Sequence, residues 1–416
     1  MNEFVLTSPG RHGAALDPRG FPAAARFVLP LLERLQHGRL AVTFPDGQRA
    51  EFGRGGQGEP HADIRLANWN VCGAALKSGD IGFAESYVAG DWASSDLARL
   101  LAFFIRNRDA ADTVIYGSFW GQLAYRVKHW LNRNTRAKAK KNITAHYDLG
   151  NAFYSLWLDP SMTYSSALLE EVDDPHVPLQ EAELQRAQQA KYQRALDELR
   201  LAPGGRVLEI GCGWGGFAEV AARAGHQVCG LTLSPSQLEH ARMRLAGAAL
   251  AADLRLQDYR DEQAAYDGIA SIEMFEAVGE EYWPSYFATL ERCLAPGGRA
   301  CIQTIVIDDR LFDRYRRSTD FIQQYIFPGG MLPSRSVFAR HAQAAGLTIE
   351  RSHAFGPAYA RTLASWRSRF LARLDGVRAL GFDTRFIRIW EFYLAYCEAA
   401  FAQGSTDVVQ FTLVKR

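Results

Sequence analysis

The 416-residue sequence lacks several features that would assign it to a particular class of protein. Its 47 basic and 46 acidic residues nearly cancel, so the net charge of +1 does not indicate any particular partner. The six cysteines form no C-x-x-C pair, which indicates a reduced compartment without a disulfide framework or a metal site. No stretch approaches the ~20 apolar residues that span a bilayer, and the first residues do not resemble a signal peptide. We therefore expect a cytoplasmic location.

A glycine-rich turn between a strand and a helix is the strongest motif in the sequence. The apolar run at 207–210 contains Glu209 and is followed by Gly211, Gly213 and Gly215. Glycine permits positive φ and lets a ligand approach the main chain. The spacing E-x-G-x-G-x-G differs from the dinucleotide pattern G-x-G-x-x-G and favours S-adenosylmethionine (SAM) as the ligand. On the glycines alone, a tight turn in another α/β protein is the alternative.

Strands and helices alternate over residues 205–310, which predicts a doubly wound α/β sheet. The second strand ends near Thr232 and Gln237, where an acid for the ribose hydroxyls would normally stand. Asp258 follows the third strand and is expected to accept a hydrogen bond from the adenine amino group. Helix capping would explain these polar residues equally well. A turn over 294–299 is expected to precede the fifth strand.

The chain divides into three regions. Residues 1–105 form an N-terminal module that begins with a predicted hairpin at 40–52. Residues 106–145 are a basic helical connector, and 146–416 form the catalytic domain, with an apolar insertion at about 310–345 that would shape the acceptor pocket. Ordinary loop packing is the alternative for that insertion.

Cations lie beside aromatic residues in the connector, a combination that suits an anionic phospholipid membrane surface. A solvated linker or a nucleic-acid patch remains the alternative at this point, and we favour the membrane over nucleic acid. The residues concerned are Arg126, Lys128, Arg133, Arg136, Lys138, Lys140, Lys141, Trp120, Tyr125 and Trp130.

Several motifs in the C-terminal two thirds of the chain resemble those of a known protein family. They lie at 145–154, 157–167, 209–216, 231–234, 274–279, 327–330 and 355–359. With them the sequence resembles the cyclopropane-fatty-acyl-phospholipid synthase family, which includes the mycolic acid cyclopropane synthases. The resemblance implies a class I SAM-dependent methyltransferase fold preceded by a small α+β lipid-associated domain. It also implies a homodimer and peripheral association with the inner membrane.

The resemblance further implies a reaction on the cis double bond of an unsaturated phospholipid acyl chain. The π electrons attack the SAM methyl, a cation forms, and loss of a proton from the new methyl closes a cyclopropane. In the family, a bound bicarbonate acts as base and is held by a cysteine, a glutamate, a histidine, a backbone amide and a tyrosine. The corresponding residues here are Ser166, Glu276, Gln303 and Tyr359, and another family histidine is replaced by Ala277.

These replacements leave the product open. Serine and glutamine can donate hydrogen bonds to an anion, so a bicarbonate site is still chemically feasible. We predict a cyclopropane product, with a methyl-branched or methylene fatty acid as the alternative and a non-catalytic SAM- or lipid-binding protein as a third interpretation. Glu276 is the first catalytic candidate, and Glu273 is an alternative to it.

Three further residues are expected to line the SAM site and the reaction centre. They are Tyr147, Tyr164 and Ser165. Core packing is the alternative for the two tyrosines.

Overall fold

A small α+β domain forms the N-terminal part of the computed structural model, which describes residues 20–56, 61–108 and 149–415. Most of the predicted connector, and Tyr147, therefore lie outside the described residues. The elements of this domain are α1 (Ala23–Leu32), β1 (Arg39–Thr43), β2 (Arg49–Phe52), β3 (His61–Leu66), α2 (Asn70–Ala89), β4 (Trp92–Ala93) and α3 (Leu97–Arg106).

The four strands of this domain form one sheet in the order β2-β1-β3-β4. The predicted hairpin is confirmed, because β1 pairs antiparallel with β2 and Gly47 in its turn has a φ of 85°. Strand β3 adds parallel to β1. Alternate residues such as Leu40 and Val42 are buried, so one face of the sheet packs against the helices.

The C-terminal domain begins its described part with α4 (Asn151–Ser155) and continues through ten helices and seven strands that follow in chain order. They are α5 (Glu181–Leu199), β5 (Arg206–Ile210), α6 (Gly216–Arg223), β6 (Gln227–Thr232), α7 (Pro235–Gly247), β7 (Asp253–Leu256), β8 (Tyr266–Ile272), α8 (Trp283–Cys293), β9 (Leu294–Ile307), α9 (Asp309–Arg317), α10 (Phe321–Tyr325), α11 (Arg335–Ala344), β10 (Leu347–Ala354), α12 (Gly356–Ala372), α13 (Leu374–Ala379), α14 (Thr384–Ala402) and β11 (Thr406–Lys415).

A seven-stranded sheet with the order β10-β11-β9-β8-β5-β6-β7 organises this domain. Strands β7, β6, β5, β8 and β9 are parallel, and β11 and β10 close the sheet in antiparallel fashion. The chain runs outward from β5 to β7 and then returns to the other side of β5 with β8. Ligands bind at such a reversal, beyond the carboxyl ends of the strands.

One predicted boundary is wrong. The turn expected at 294–299 is an irregularity inside β9, because Leu294 pairs with Tyr266 and Arg299 pairs with Gly268. Helix α12 begins at Gly356, and Pro357 occupies its first turn, where a missing N–H is tolerated.

Partly buried polar contacts join the two domains. The Tyr87 hydroxyl donates to Glu391 on α14 at 2.7 Å. Arg367 lies between Glu398, at 2.8 Å, and Asp96 of the N-terminal domain, at 3.6 Å. Over the described residues, no helix combines the length and hydropathy of a membrane span.

We expect Glu398→Gln to lower the free energy of unfolding by about 3 kcal/mol, because it leaves the Arg367 guanidinium without its buried counter-ion. Chemical denaturation checks this. Asp375→Asn is the control, since Asp375 pairs with Arg378 in full exposure and its loss should be undetectable. Equal stability of the two variants would contradict the structural role of Glu398.

Candidate active site

The glycine-rich turn lines a cavity of about 150 Å³ at the carboxyl ends of β5, β6 and β8, which we call the glycine-loop cavity. Gly211 and Gly213 line it with φ of 83° and 49°, and a side chain at Gly213 would point into open space. Gly215 is absent from the lining. It caps α6 with a φ of 82°, and a Cβ there would lie 3.0 Å from Ala241, so its role is in packing.

The Glu209 carboxylate gives this cavity a site for a cation. The side chain is buried on β5, and its Oε2 has no hydrogen-bond partner among the described residues. Burial raises the pKa of Glu209 well above its ordinary value, which a bound cationic group would reverse. SAM carries both an ammonium and a sulfonium, so the orphaned oxygen and the glycine loop fit it.

Polar residues from the neighbouring strand ends complete this cavity. Thr232 and Gln237 line it, with the threonine hydroxyl 3.2 Å from the glutamine side-chain oxygen. Asp258 lines it too, but its carboxylate already accepts from Arg260 Nε at 2.8 Å. Contact of these residues with the ribose and the adenine stays a prediction.

A second cavity, of about 190 Å³, lies against the glycine-loop cavity, and we call it the aromatic cavity. Its walls include Tyr164, Phe327, Tyr359, Tyr393 and Phe401. The two cavities share Tyr164, Glu273 and Ala277, so a group in one would meet a group in the other at these residues. The Tyr164 and Tyr393 hydroxyls are 2.6 Å apart and fix this wall.

The Glu273 carboxylate lies at that junction and is held by three donors. Oε1 accepts from the Ser166 backbone N–H at 2.8 Å and from Gln303 Nε2 at 2.7 Å. Oε2 accepts from the Tyr359 hydroxyl at 2.6 Å. Burial and Glu273 raise the pKa of Tyr359, so the phenol stays protonated and donates. Three of the four residues that would hold an external anion therefore bind a carboxylate of the chain itself.

The backbone at Glu273 is in the left-handed region, with a φ of 49°. A non-glycine residue there costs of order 1–3 kcal/mol, and such strain is concentrated at functional sites. Glu273 was only the alternative to Glu276 in the sequence. The structure makes it the more central of the two.

Ser166 acts through its backbone rather than through its hydroxyl, which donates to the Ala167 carbonyl at 2.9 Å. Gln303 is oriented by Gln410, whose Nε2 donates to the Gln303 side-chain oxygen at 3.0 Å. The amide NH₂ of Gln303 therefore faces Glu273. Sequence reasoning missed Gln410, although a glutamine within the mostly apolar run at 408–414 was a signal.

Lys191 of α5 is a second residue that the sequence did not reveal. It is fully buried, and its Nζ donates to the Ser165 hydroxyl at 2.5 Å. Burial lowers the pKa of Lys191, while the negative charges of Glu273, Asp159 and Glu209 oppose that shift. Ser165 lines the glycine-loop cavity as predicted for the SAM wall, but its hydroxyl is engaged by this lysine.

Glu276 lines the aromatic cavity and differs in its protonation from an ordinary carboxylate. One oxygen accepts from the Ile305 N–H at 2.5 Å and from the Thr304 hydroxyl at 3.1 Å, while Oε2 is buried without a partner among the described residues. Burial, followed by repulsion from Glu273, raises the pKa of Glu276 to about 8. The group is therefore largely protonated at neutral pH.

Among the described residues, no cluster of three or more histidine, cysteine, aspartate or glutamate side chains could hold a metal ion.

Comparisons with known proteins agree with this geometry. The family described as mycolic acid cyclopropane synthetase matches residues 134–411. The tuberculostearic acid methyltransferase UfaA1 of Mycobacterium tuberculosis is 41% identical, over 96% of this chain and 93% of that protein. The cyclopropane-fatty-acyl-phospholipid synthase of Escherichia coli is 36% identical, over 83% and 85%.

Solved structures are similar over the C-terminal two thirds of the chain. The cyclopropane synthase MmaA2 of Mycobacterium tuberculosis has a TM-score of 0.60 at 31% identity, covering 66% of this chain and 98% of that one. The mycolic acid cyclopropane synthase CmaA1, complexed with SAH and CTAB, has a TM-score of 0.60 at 34% identity, with the same coverage.

We expect Glu276→Gln to change the pH dependence of stability. The folded pKa of Glu276 is raised, so its contribution is fully present below the unfolded pKa and is lost as the pH rises towards about 8. The glutamine side chain does not ionise, so the variant should not lose this stability as the pH rises. The midpoint of thermal unfolding, measured from pH 5 to pH 9, should therefore rise relative to the wild type as the pH increases. A constant difference would show that Glu276 is already ionised.

Proposed function

We propose a reaction for this chain from the premise that it belongs to the mycolic acid cyclopropane synthetase family and is a SAM-dependent methyltransferase. The proposed reaction is methyl transfer to the cis double bond of a phospholipid acyl chain, and its product is an acyl chain with a methylene (=CH₂) branch. The observation that carries the proposal is the Glu273 carboxylate, which occupies the donors expected to hold bicarbonate. The base is then a fixed part of the chain.

The site suits a cationic reaction. SAM supplies a methyl on a sulfonium, and the alkene attacks it where the two cavities share Tyr164 and Glu273. An alkene is a poor nucleophile, so the apolar walls contribute mainly alignment and exclusion of water. The cation that forms on the acyl chain faces the rings of Tyr359 and Phe401, whose centroids are 4.4 Å apart, and the Glu273 charge.

The placement of the base favours a methylene product. Burial raises the pKa of Glu273, while its donors and Lys191 oppose that shift. The three donors hold the carboxylate in one position, so proton loss from the first cation is slower than a hydride shift. A hydride can then shift from the methylated carbon to its neighbour, which turns a secondary cation into a tertiary one. Glu273 Oε2 next accepts a proton from the new methyl, and the C–H electron pair forms the C=CH₂ double bond of the methylene branch.

The atoms balance without a reductant. The S–CH₃ bond of SAM breaks and leaves its neutral thioether as the lipid gains CH₃⁺. The lipid then loses one proton, which passes to Glu273 and then to solvent. A saturated methyl branch would need an additional hydride donor, whereas a cyclopropane would need a proton to be lost before the hydride shift. The name of the similar UfaA1 protein specifies a methyltransferase without a cyclopropane, which also supports this product.

A phospholipid acceptor is supported by the N-terminal domain and by the similar Escherichia coli protein, whose name specifies a fatty-acyl-phospholipid. Peripheral membrane binding by the basic connector and a homodimer stay predictions, because the connector lies outside the described residues.

The product can be identified with trideuteromethyl SAM and vesicles of phosphatidylglycerol carrying oleoyl chains deuterated at both alkene carbons. We expect a lipid that has lost one methyl deuterium, takes up hydrogen under mild conditions, and carries two deuteriums on the carbon next to the branch. A product that resists hydrogenation and keeps one deuterium on each carbon is a cyclopropane and would overturn the methylene assignment. Unlabelled lipid would exclude an acyl acceptor.

Two substitutions of the proposed base separate its charge from its volume. Glu273→Gln should lower kcat at least about 100-fold, the usual scale for losing a general base, while SAM affinity is retained. Glu273→Gly should be equally inactive in bicarbonate-free buffer, but it vacates the donors and relieves the left-handed strain.

Added bicarbonate or formate should therefore restore turnover to the glycine variant and not to the glutamine variant, in which the amide still fills the space. Turnover in bicarbonate-free Glu273→Gln would remove Glu273 from the mechanism.

A further inference from the structure

A third cavity, of about 240 Å³, lies outside the reaction centre, between the two domains, and we call it the interdomain cavity. Helices α2 and α3 contribute Phe83 and Phe104 to its walls, and the catalytic domain contributes Leu311 of α9 and Ala400 of α14. Most of its lining is apolar. Without the N-terminal domain this cavity would have no floor.

The interdomain cavity shares a wall with the aromatic cavity. The residues common to both are Tyr315, Asp320, Leu332, Tyr396, Ala400 and Thr406. The three cavities thus follow one another, from the domain interface through the aromatic walls to the glycine loop. A long apolar chain that reaches Glu273 from the interface would traverse both apolar cavities.

Two acidic side chains line the interdomain cavity, and the protein satisfies both: Asp320 belongs to the wall shared with the aromatic cavity, and Asp80 lies on the interdomain side only. Asp320 accepts from the Gln323 N–H at 2.8 Å in the capping box of α10. Asp80 accepts from the Ile81 N–H at 2.9 Å, and the Tyr396 hydroxyl donates to it at 3.3 Å. Burial, together with the charge of Asp320, raises the pKa of Asp80 to about 7. The two aspartates therefore carry less than two negative charges at neutral pH.

Two arginines line the interdomain cavity. Arg314 on α9 is exposed, and Arg108 is half-buried after α3. The Arg108 guanidinium donates to the Ser405 hydroxyl at 2.6 Å and to the Ile105 carbonyl at 3.1 Å, which fixes it across the two domains. Arginine pairs with the oxygens of a phosphodiester through parallel N–H groups. An apolar cavity that bears two guanidiniums matches a phosphodiester attached to an alkyl chain.

We propose that the interdomain cavity is the entrance site for the phospholipid, with the carboxyl-proximal half of the acyl chain between the domains and the head-group phosphate on Arg108 and Arg314. The proposal rests on the proposed function, because it takes the acyl chain as the acceptor. It gives the N-terminal domain a direct part in binding the substrate.

Photolabelling tests the site without requiring turnover. A phosphatidylglycerol with a diazirine on the acyl carbons next to the ester is irradiated with the wild-type protein, and the labelled peptides are mapped by mass spectrometry. Adducts on residues 75–83, 101–108 or 311–319 support the entrance site. Adducts confined to other segments, or none, overturn it.

Steady-state kinetics test the phosphate contact. Arg314→Gln should raise KM for phosphatidylglycerol about ten-fold with kcat unchanged, and it should leave turnover of methyl oleate in detergent unaffected, because that ester has no phosphate. Arg310→Gln is the matched control: the residue lies on the same helix, is 88% exposed and pairs with Asp308, outside the cavity lining.

Equal KM for the two variants would remove Arg314 from head-group binding. An equal rise in KM with oleoyl coenzyme A in place of the phospholipid would assign the arginines to a carrier-bound acyl chain instead. Absence of any methylated product with the wild type would refute the proposed function, while the photolabelling result would still decide whether the lipid binds here.

Discussion

The placement of one carboxylate determines how this active site is built. Glu273 receives hydrogen bonds from three separate parts of the domain. The donors are the Ser166 backbone in the segment between α4 and α5, Gln303 on β9 and Tyr359 on α12. Gln303 is itself oriented by a neighbour, Gln410. A buried negative charge is tolerable only with such donors and a compensating positive charge. Lys191, whose pKa burial lowers to about 7 against the opposing charge of Glu273, supplies part of that charge. The surrounding elements are thus arranged around an anion that belongs to the protein.

Two buried glutamates three residues apart acquire different properties from this arrangement. Burial raises the pKa of both carboxyls. Three donors and Lys191 oppose that shift at Glu273, whereas Glu276 has an oxygen without a partner among the described residues and a pKa raised to about 8. Environments that separate the properties of neighbouring carboxyls are a common way to divide tasks between them. In this site Glu273 lies at the junction of the cavities, and Glu276 lines only the aromatic cavity.

Much of the fold was predictable from the sequence, because the spacing of apolar residues and the residue types preferred in turns are local signals. The glycine turn, the hairpin at the N-terminus and strand β8 follow from runs of apolar residues punctuated by glycine. The irregular start of β9 did not, because Pro296 and Gly297 read as a turn while tertiary pairing with β8 kept the strand continuous.

The sequence predicted several residues of the site but not the hydrogen bonds between them. Tyr359, Gln303 and Ser166 were recognised by motif, yet the motif could not show that their common partner is Glu273 rather than an external anion. That depends on the left-handed backbone at Glu273, which no local pattern encodes. Lys191 lies on a polar helix and is buried only because of tertiary packing.

The left-handed conformation at residue 273 has a consequence for how such enzymes diverge. Glycine is the residue that this backbone accepts most easily, and glycine and glutamate codons can differ by one nucleotide. Under the proposed function, a protein that takes its base from dissolved carbonate and one that carries its base on the chain are therefore neighbours in sequence space, separated by a single point mutation. That mutation requires no remodelling of the fold.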